Sequence, residues 1–262
     1  MSLHAIIPAA GMGSRLGGLA GGAPKSLLPV AGRPILLRAV DALEAAGISR
    51  LTVVVGYQAW RIRDALGERV GTVAIDYAHN DDFASTEHGF SLYCARHAWA
   101  RSRLPVLFMD ADNVFVPALL ARLLAAPQPD CVLVDPGLDS SGQDEELVLG
   151  NAGRVSGFVR GRARDFPHCV GAFVGMNRFG AAYMDRLFAF MQELFEREGR
   201  GFKYERVFHR MLVEQGAAPA YLDSGDLGWV NVNHPRDVAR AESLLAGTTP
   251  SSGASASMSS TA

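Results

Sequence analysis

The stretch that decides the fold runs from His4 to Pro34, HAIIPAAGMGSRLGGLAGGAPKSLLPVAGRP. It opens on a short apolar run, Leu3 to Pro8, which reads as a strand. The segment after this strand is too rich in glycine to be helix and too long to be a tight turn. Gly11 and Gly13 come directly after the strand, where a missing Cβ lets backbone N–H groups approach an anion closely. Pro34 then opens the apolar-periodic stretch ILLRAVDALEAAG, whose Gly47 is a helix stop, and the β-branched LTVVVG comes next. Strand, helix and strand make a βαβ unit, which requires parallel pairing.

Two familiar phosphate loops are excluded by spacing. A dinucleotide fingerprint needs glycine where Leu16 stands, and a Walker loop needs glycine before its lysine, where Pro24 precedes Lys25.

Working outward, the pattern predicts a helix near 60–66, a strand near 72–76, a helix over about 89–98 and the strand LPVLFMD ending at Asp110. This alternation predicts an α/β fold, a doubly wound mixed sheet that is mainly parallel and Rossmann-like, with ligands at the carboxyl ends of the strands. From Cys131 to Met176 the helical period disappears and short strands alternate with Gly and Asp, so a small antiparallel extension is expected beside the site. Two helices are expected over about 178–197 and 204–215, then short strands around Ala220 and Trp229 and a last helix from Pro235. One domain is expected over 1–246. The remainder, 247–262, is small, polar and unable to form a core, and reads as a disordered tail.

Of the 262 residues 48% are hydrophobic, enough for one core of ordinary size. The formal net charge is −2 and basic residues are scattered among acidic ones, which argues against a nucleic-acid partner. Cys94, Cys131 and Cys169 lack the close spacings of a zinc site or a disulfide framework, which suits a reducing compartment. No stretch stays apolar for the ~18 residues a membrane span needs. These features predict a cytoplasmic protein without a membrane partner; whether it forms a homodimer is left open.

The order AAGxGxRL, then PK, then LLPVxGxP resembles the signature of nucleotidyltransferases that activate sugar phosphates, phosphocholine and phosphonates. Here it is carried by Ala9, Ala10, Gly11, Gly13, Ser14, Arg15, Leu16, Pro24, Lys25, Leu28, Pro29, Val30, Gly32 and Pro34. The resemblance continues through Gly56 and Tyr57, the Asp110-Ala111-Asp112 triplet and WVNVNHPRD at Trp229 to Asp237. It implies a nucleotide-binding segment of Ala9, Ala10, Gly11, Met12, Gly13 and Ser14, joined by Tyr57 and Asp110. In-line attack of an acceptor oxygen on the α-phosphorus of a nucleoside triphosphate is then the reaction. Attacker and leaving group are both anionic, so positioning and cation supply carry the catalysis. Arg15 would hold the β- and γ-phosphates, and Lys25 the α-phosphate and incoming oxygen. Mg²⁺ would be held by Asp112 and Asn233, with Asp226 in reserve, since a hard cation that keeps its waters needs few protein oxygens. Asn233 stands where many relatives have Asp.

The segment NDDFASTEHGFSLYCARHA is similar to the helix entry of phosphocholine and aminoethylphosphonate cytidylyltransferases, so CTP is the favoured triphosphate. It departs from them at Glu87 and His88. Acceptor contacts are expected from Glu87, Phe90, Lys203, Tyr204, Glu205 and Trp229, a lining of carboxylates and aromatics that suits a cationic amine. The alternatives are a sugar-1-phosphate nucleotidylyltransferase using UTP, GTP or dTTP, and a glycosyltransferase reading the same Asp-x-Asp.

Overall fold

The computed structural model describes residues 2–13, 21–137 and 145–247. The first strand, β1 (His4–Pro8), is succeeded beyond the glycine-rich loop by a 3-10 turn at Lys25–Leu27 and a minimal hairpin, β2 (Pro29–Val30) and β3 (Arg33–Pro34). Helix α1 (Ile35–Ala45), β4 (Arg50–Val55), α2 (Ala59–Leu66), β5 (Arg69–Val70) and β6 (Val73–His79) complete the first wound half. Next come α3 (His88–Cys94), α4 (Arg96–Ser102), β7 (Val106–Met109), β8 (Asn113–Phe115), α5 (Pro117–Leu124) and β9 (Cys131–Asp135). The chain closes through β10 (Glu145–Asn151), β11 (Arg154–Gly161), β12 (Cys169–Phe179), α6 (Ala181–Glu198), α7 (Tyr204–Gln215), β13 (Ala220–Asp223), β14 (Trp229–Asn231) and α8 (Pro235–Gly247).

Ten strands form one sheet in the order β10-β11-β13-β9-β12-β7-β1-β4-β6-β5. Its parallel core is β7-β1-β4-β6. The antiparallel strands expected as a small extension join this sheet through β12, which pairs antiparallel with β7 on one side and β9 on the other. They are thus a continuous half of the sheet. The reason is visible in β12, whose residues from Gly171 to Phe179 are all buried: a strand covered on both faces belongs inside a sheet.

Alternation along β1 divides the core. Ala5 and Ile7 face α1, α2 and α5, while Ile6 faces α3, α6 and α7. A third small cluster, Val30, Ile35, Val114, Val230, Val232 and Ala241, ties α8 to the hairpin and to the β8–β14 pair. The expected helix over 89–98 is two short helices meeting at Ala95, whose methyl group is fully buried at the corner. Helix α5 is an addition to the expected elements, although Pro117 at its start and the buried Leu119, Leu120 and Leu123 carry the signal. Helix α8 ends at Gly247, and the expected tail beyond it lies outside the described residues. None of the described helices is long and apolar enough to cross a membrane.

His4 is fully buried on β1, its ring nitrogens 2.8 Å from Ser102 Oγ and from Thr52 Oγ1. Burial, helped by the Arg50 charge, lowers its pKa to about 4. The unfolded chain therefore takes up a proton that the native chain refuses, so this residue's share of stability is complete above about 6.5 and is lost as pH falls towards 4. Chemical denaturation at pH 7.5 and 4.5 should show a larger acid loss for the wild type than for His4→Gln. Equal losses in the two proteins would rule out His4 as a source of the acid sensitivity.

Candidate active site

The carboxyl ends of β1, β4 and β7 converge, as the wound topology demands. Ala9 and Ala10 leave β1 buried, held by the Ala9 N–H donating to the Val54 carbonyl (2.7 Å) and the Tyr57 N–H donating to the Ala10 carbonyl (3.0 Å). Gly56 is needed at that join, because a Cβ there would lie 2.9 Å from Phe83 Cβ and 3.0 Å from the Ala10 oxygen. Gly13 has φ +63°, and a Cβ on it would stand 2.5 Å from Lys25 Cβ. The second glycine of the loop thus clears the path by which Lys25 enters the site. Met12 lies exposed on the lip, and the Tyr57 hydroxyl donates to the Gly22 carbonyl across the loop. Ser14 and Arg15 lie outside the described residues.

Lys25 is the centre of the polar cluster. Its ammonium donates to Asp112 Oδ2 at 2.5 Å and to Asn233 Oδ1 at 2.8 Å, with side chains 13% and 24% exposed for Lys25 and Asp112. The alternation of WVNVN explains the arrangement: Val230 and Val232 enter the core under α8, and Asn231 and Asn233 face the site. Asn231 Nδ2 donates to Asp112 Oδ1 (2.7 Å) and to Asn113 Oδ1 (2.9 Å), and its own Oδ1 accepts from Asn233. The turn behind Asn233 is fixed by Asp237, which accepts from the backbone N–H groups of Asn233 and His234. Sequence reasoning misses Asn231 and Asn113, although the alternation already puts 231 and 233 on one face.

Asp110 is set back from this cluster. Both its oxygens accept from the Tyr204 hydroxyl, at 2.7 and 2.8 Å. Burial, then the Asp112 and Glu205 charges, push its carboxyl well above the usual range. Gly175 on β12 makes room for it: with φ +75°, a Cβ there would come within 2.1 Å of Asp110 Oδ2.

The other wall is α3 and the start of α7. A cavity of about 180 Å³ is lined by Pro8, Ala10, Gly11, Phe83, Thr86, Glu87, His88 and Ser91. The two chain segments are bonded together, with the Glu87 N–H donating to the Arg200 carbonyl and the Gly89 N–H to the Phe202 carbonyl. His88 packs edge-on against Tyr204, and its Nε2 is 3.7 Å from Glu205 Oε2. Glu205 is 7% exposed, and that Oε2 has no hydrogen-bond partner among the described residues. Lys203 pairs with Glu146 on β10 (3.3 Å), which also takes Arg160 (3.0 Å).

Three expected site residues stand elsewhere. Phe90 is buried in the helical layer against Tyr93 and Phe195, with the Arg200 guanidinium on its ring, so it does not line the acceptor pocket. Asp226 is exposed in the turn before β14, where the neighbouring Gly225 lies beside Arg122; the strand runs from there towards Asn233, which leaves Asp226 at the wrong end to share a metal with Asp112. Trp229 is committed to Asp135, its indole N–H donating at 2.8 Å.

The MobA-like NTP transferase domain family matches residues 5–156, the part that holds the loop, Lys25 and the Asp110–Asp112 triplet. The chain belongs to this family. Similarity extends to CMP-5'-(3-aminopropyl)phosphonate synthase of Streptomyces rubellomurinus, 32% identical over 92% of this chain and 38% of that protein. The chain thus spans well under half of that relative's length. A 2-aminoethylphosphonate cytidylyltransferase of Lancefieldella rimae is 27% identical over 75% of the chain and 74% of its own. In fold, the chain is similar to CTP:phosphocholine cytidylyltransferase from Streptococcus pneumoniae, with a TM-score of 0.71, 20% identity, and coverage of 94% and 100% of the two chains. As a member of the family the chain contains an NTP transferase domain of mixed α/β architecture.

Proposed function

We propose that the protein transfers CMP from CTP to a small phosphonate or phosphate acceptor bearing a cationic amine, with release of pyrophosphate. The observation that carries the chemistry is the convergence of Asp112 and Asn233 oxygens on one cationic atom, Lys25 Nζ, beneath the Gly11–Gly13 loop. An ammonium held by two oxygens marks where a small hard cation fits, and a carboxylate plus an amide suit Mg²⁺, which keeps waters and phosphate oxygens for its remaining positions. Among the described residues no cluster of three or more acidic, His or Cys side chains could hold a metal by itself, which agrees with an ion shared with the triphosphate. Mg²⁺ there would neutralise charge on the triphosphate. Lys25 would then turn to the α-phosphate and the attacking oxygen. One acceptor P–O⁻ oxygen forms the new bond to the α-phosphorus as the bond to the bridging oxygen of pyrophosphate breaks. Arg15 would hold the departing phosphates.

The nucleotide and acceptor are supported by the two relatives whose names specify CMP or cytidylyl transfer to aminoalkylphosphonates. The wall agrees through two carboxylates: Glu87 lines the cavity and Glu205 stands 3.7 Å from His88, whereas Glu146 is taken by Lys203 and Arg160. Free thiols at all three cysteines suit a reducing cytoplasm. Pyrophosphate release measured with four nucleoside triphosphates against aminoalkylphosphonates, phosphocholine and hexose 1-phosphates tests the reading. A hexose 1-phosphate with the highest kcat/KM would replace the cationic acceptor, and nucleoside diphosphate as product would replace nucleotidyl transfer altogether.

Glu205 gives this reading a pH signature. Burial pushes its carboxyl up to about 7, with the Glu146 charge adding to it. Only the ionised form attracts an ammonium, so the acceptor KM should rise as pH falls through 7, with kcat at saturation little changed. Glu205→Gln should raise that KM roughly tenfold or more at pH 8, the size of a lost hydrogen bond to a charged group. Stability should move the other way. The native state holds the proton more tightly than the unfolded chain, so the benefit is complete below about 4.5 and is lost as pH rises through 7. Glu205→Gln is therefore expected to unfold at a higher temperature than wild type at pH 8. A variant with unchanged acceptor KM at pH 8 would remove Glu205 from the acceptor site.

A further inference from the structure

We propose a second binding site, for a small molecule carrying linked phosphates, in the groove formed by the end of β6 and the α3–α4 corner, lined by Tyr77, His79, Cys94, Arg96, His97 and Arg101. The groove is larger than the cavity at the catalytic loop, about 360 Å³ against about 180 Å³, and the two share no residue. Four of its lining side chains are Arg or His and none is acidic.

The positive charge is only partly offset: Asp81 and Asp82 lie near enough to act on Cys94, but Asp82 is itself paired with Arg200 at 2.6 Å. Asp76, the carboxylate at its edge, is divided between Arg50 at 3.6 Å and Arg101 at 3.5 Å, so two guanidinium groups meet one acid. Among the described residues no carboxylate lies within ion-pair distance of Arg96, which rests on the Tyr93 ring at 4.0 Å and gives one N–H to the Tyr93 carbonyl. A guanidinium has five N–H donors, so this contact positions Arg96 and leaves donors for an oxyanion. Arg63 adds a further positive charge behind the groove. Its guanidinium covers the Tyr77 ring at 4.6 Å and stands 2.7 Å from His79 Nε2. Because a guanidinium can only donate, Nε2 must accept, and the ring hydrogen of His79 is on Nδ1.

Guanidinium and imidazole groups lining one recess select oxyanions, and phosphate oxygens match the fork of an arginine best. The volume exceeds what a single phosphate fills, which favours a diphosphate or a nucleotide. An acidic protein segment is the competing occupant.

Isothermal titration of the full chain in the absence of divalent metal, with inorganic pyrophosphate and separately with CTP, tests the site. Two binding events are expected for at least one of these ligands with the wild type. Arg96→Gln combined with Arg101→Gln should lose one event and keep the other, with kcat unchanged at low pyrophosphate. Lys25→Ala should show the converse, so a failure of the catalytic assignment is separated from a failure of this one. A second event with CTP and none with pyrophosphate makes the occupant a nucleotide. Should the double variant fold poorly by circular dichroism, Arg96→Gln alone should weaken that event at least tenfold. A single event in wild type that survives both arginine substitutions overturns the proposal, as does saturable binding of a poly-glutamate peptide in the groove with neither phosphate ligand bound there.

Discussion

Lys25→Ala is expected to lower kcat by about two to three orders of magnitude, the loss seen when one preorganised electrostatic stabiliser is removed from an active site. The ammonium is placed by a feature that few other residues would allow, the missing Cβ of Gly13 against the lysine's own Cβ. Its partners Asp112 and Asn233 arrive from the end of β7 and from the C-terminal return of the chain. Among the described residues no other Lys or Arg side chain pairs with Asp112. The fold should survive, because Asp112 keeps its hydrogen bond from Asn231 when the ammonium is removed. Single-turnover kinetics with CTP in excess, beside a thermal unfolding curve, measures both. Turnover above a third of wild type would reduce Lys25 to an ion-pair partner.

The second large effect is a contrast. Asp112→Asn should cut kcat by about 10²-fold or more and shift the Mg²⁺ requirement upward, since it leaves amides alone to meet the ion. Asp110→Asn should cost far less and leave the Mg²⁺ curve in place. Asp110 already accepts the Tyr204 hydroxyl on both oxygens, and burial together with the Asp112 charge holds its carboxyl up towards the neutral form. An amide there loses little charge. Chelation should abolish wild-type activity and Mg²⁺ restore it. Equal losses and equal metal shifts in the two variants would make Asp110 a co-ligand, and full activity in chelator would dismiss the metal site.

The features legible in the sequence are those that lie close along the chain. The strand, the two glycines and the lysine occupy one segment, and their spacing carries both the phosphate loop and the approach of Lys25. Asp110 to Asp112 are legible because an apolar strand must end where its polar residues emerge. The acceptor wall is only partly so. Glu205 and Lys203 stand out, but their neighbours His88 and Glu146 come from α3 and β10, and no periodicity says that those segments meet α7. Phe90 misleads because a short helix offers too few residues to show which face is buried, and the turn at Ala95 cuts the pattern shorter still. Asp226 misleads for a different reason. Nearness in sequence to Asn233 is not nearness in space once β14 is extended along β8. The antiparallel strands can be recognised one by one, yet their insertion beside β7 depends on long-range pairing through β12.

The hollow at Gly175 reaches further than its place on a neighbouring strand suggests. Because any side chain there would push into the Asp110 carboxylate, a random-mutagenesis screen should return position 175 among the inactivating sites. A library built to alter acceptor preference can vary Glu87, His88 and Glu146 freely, but it should keep 175 as glycine.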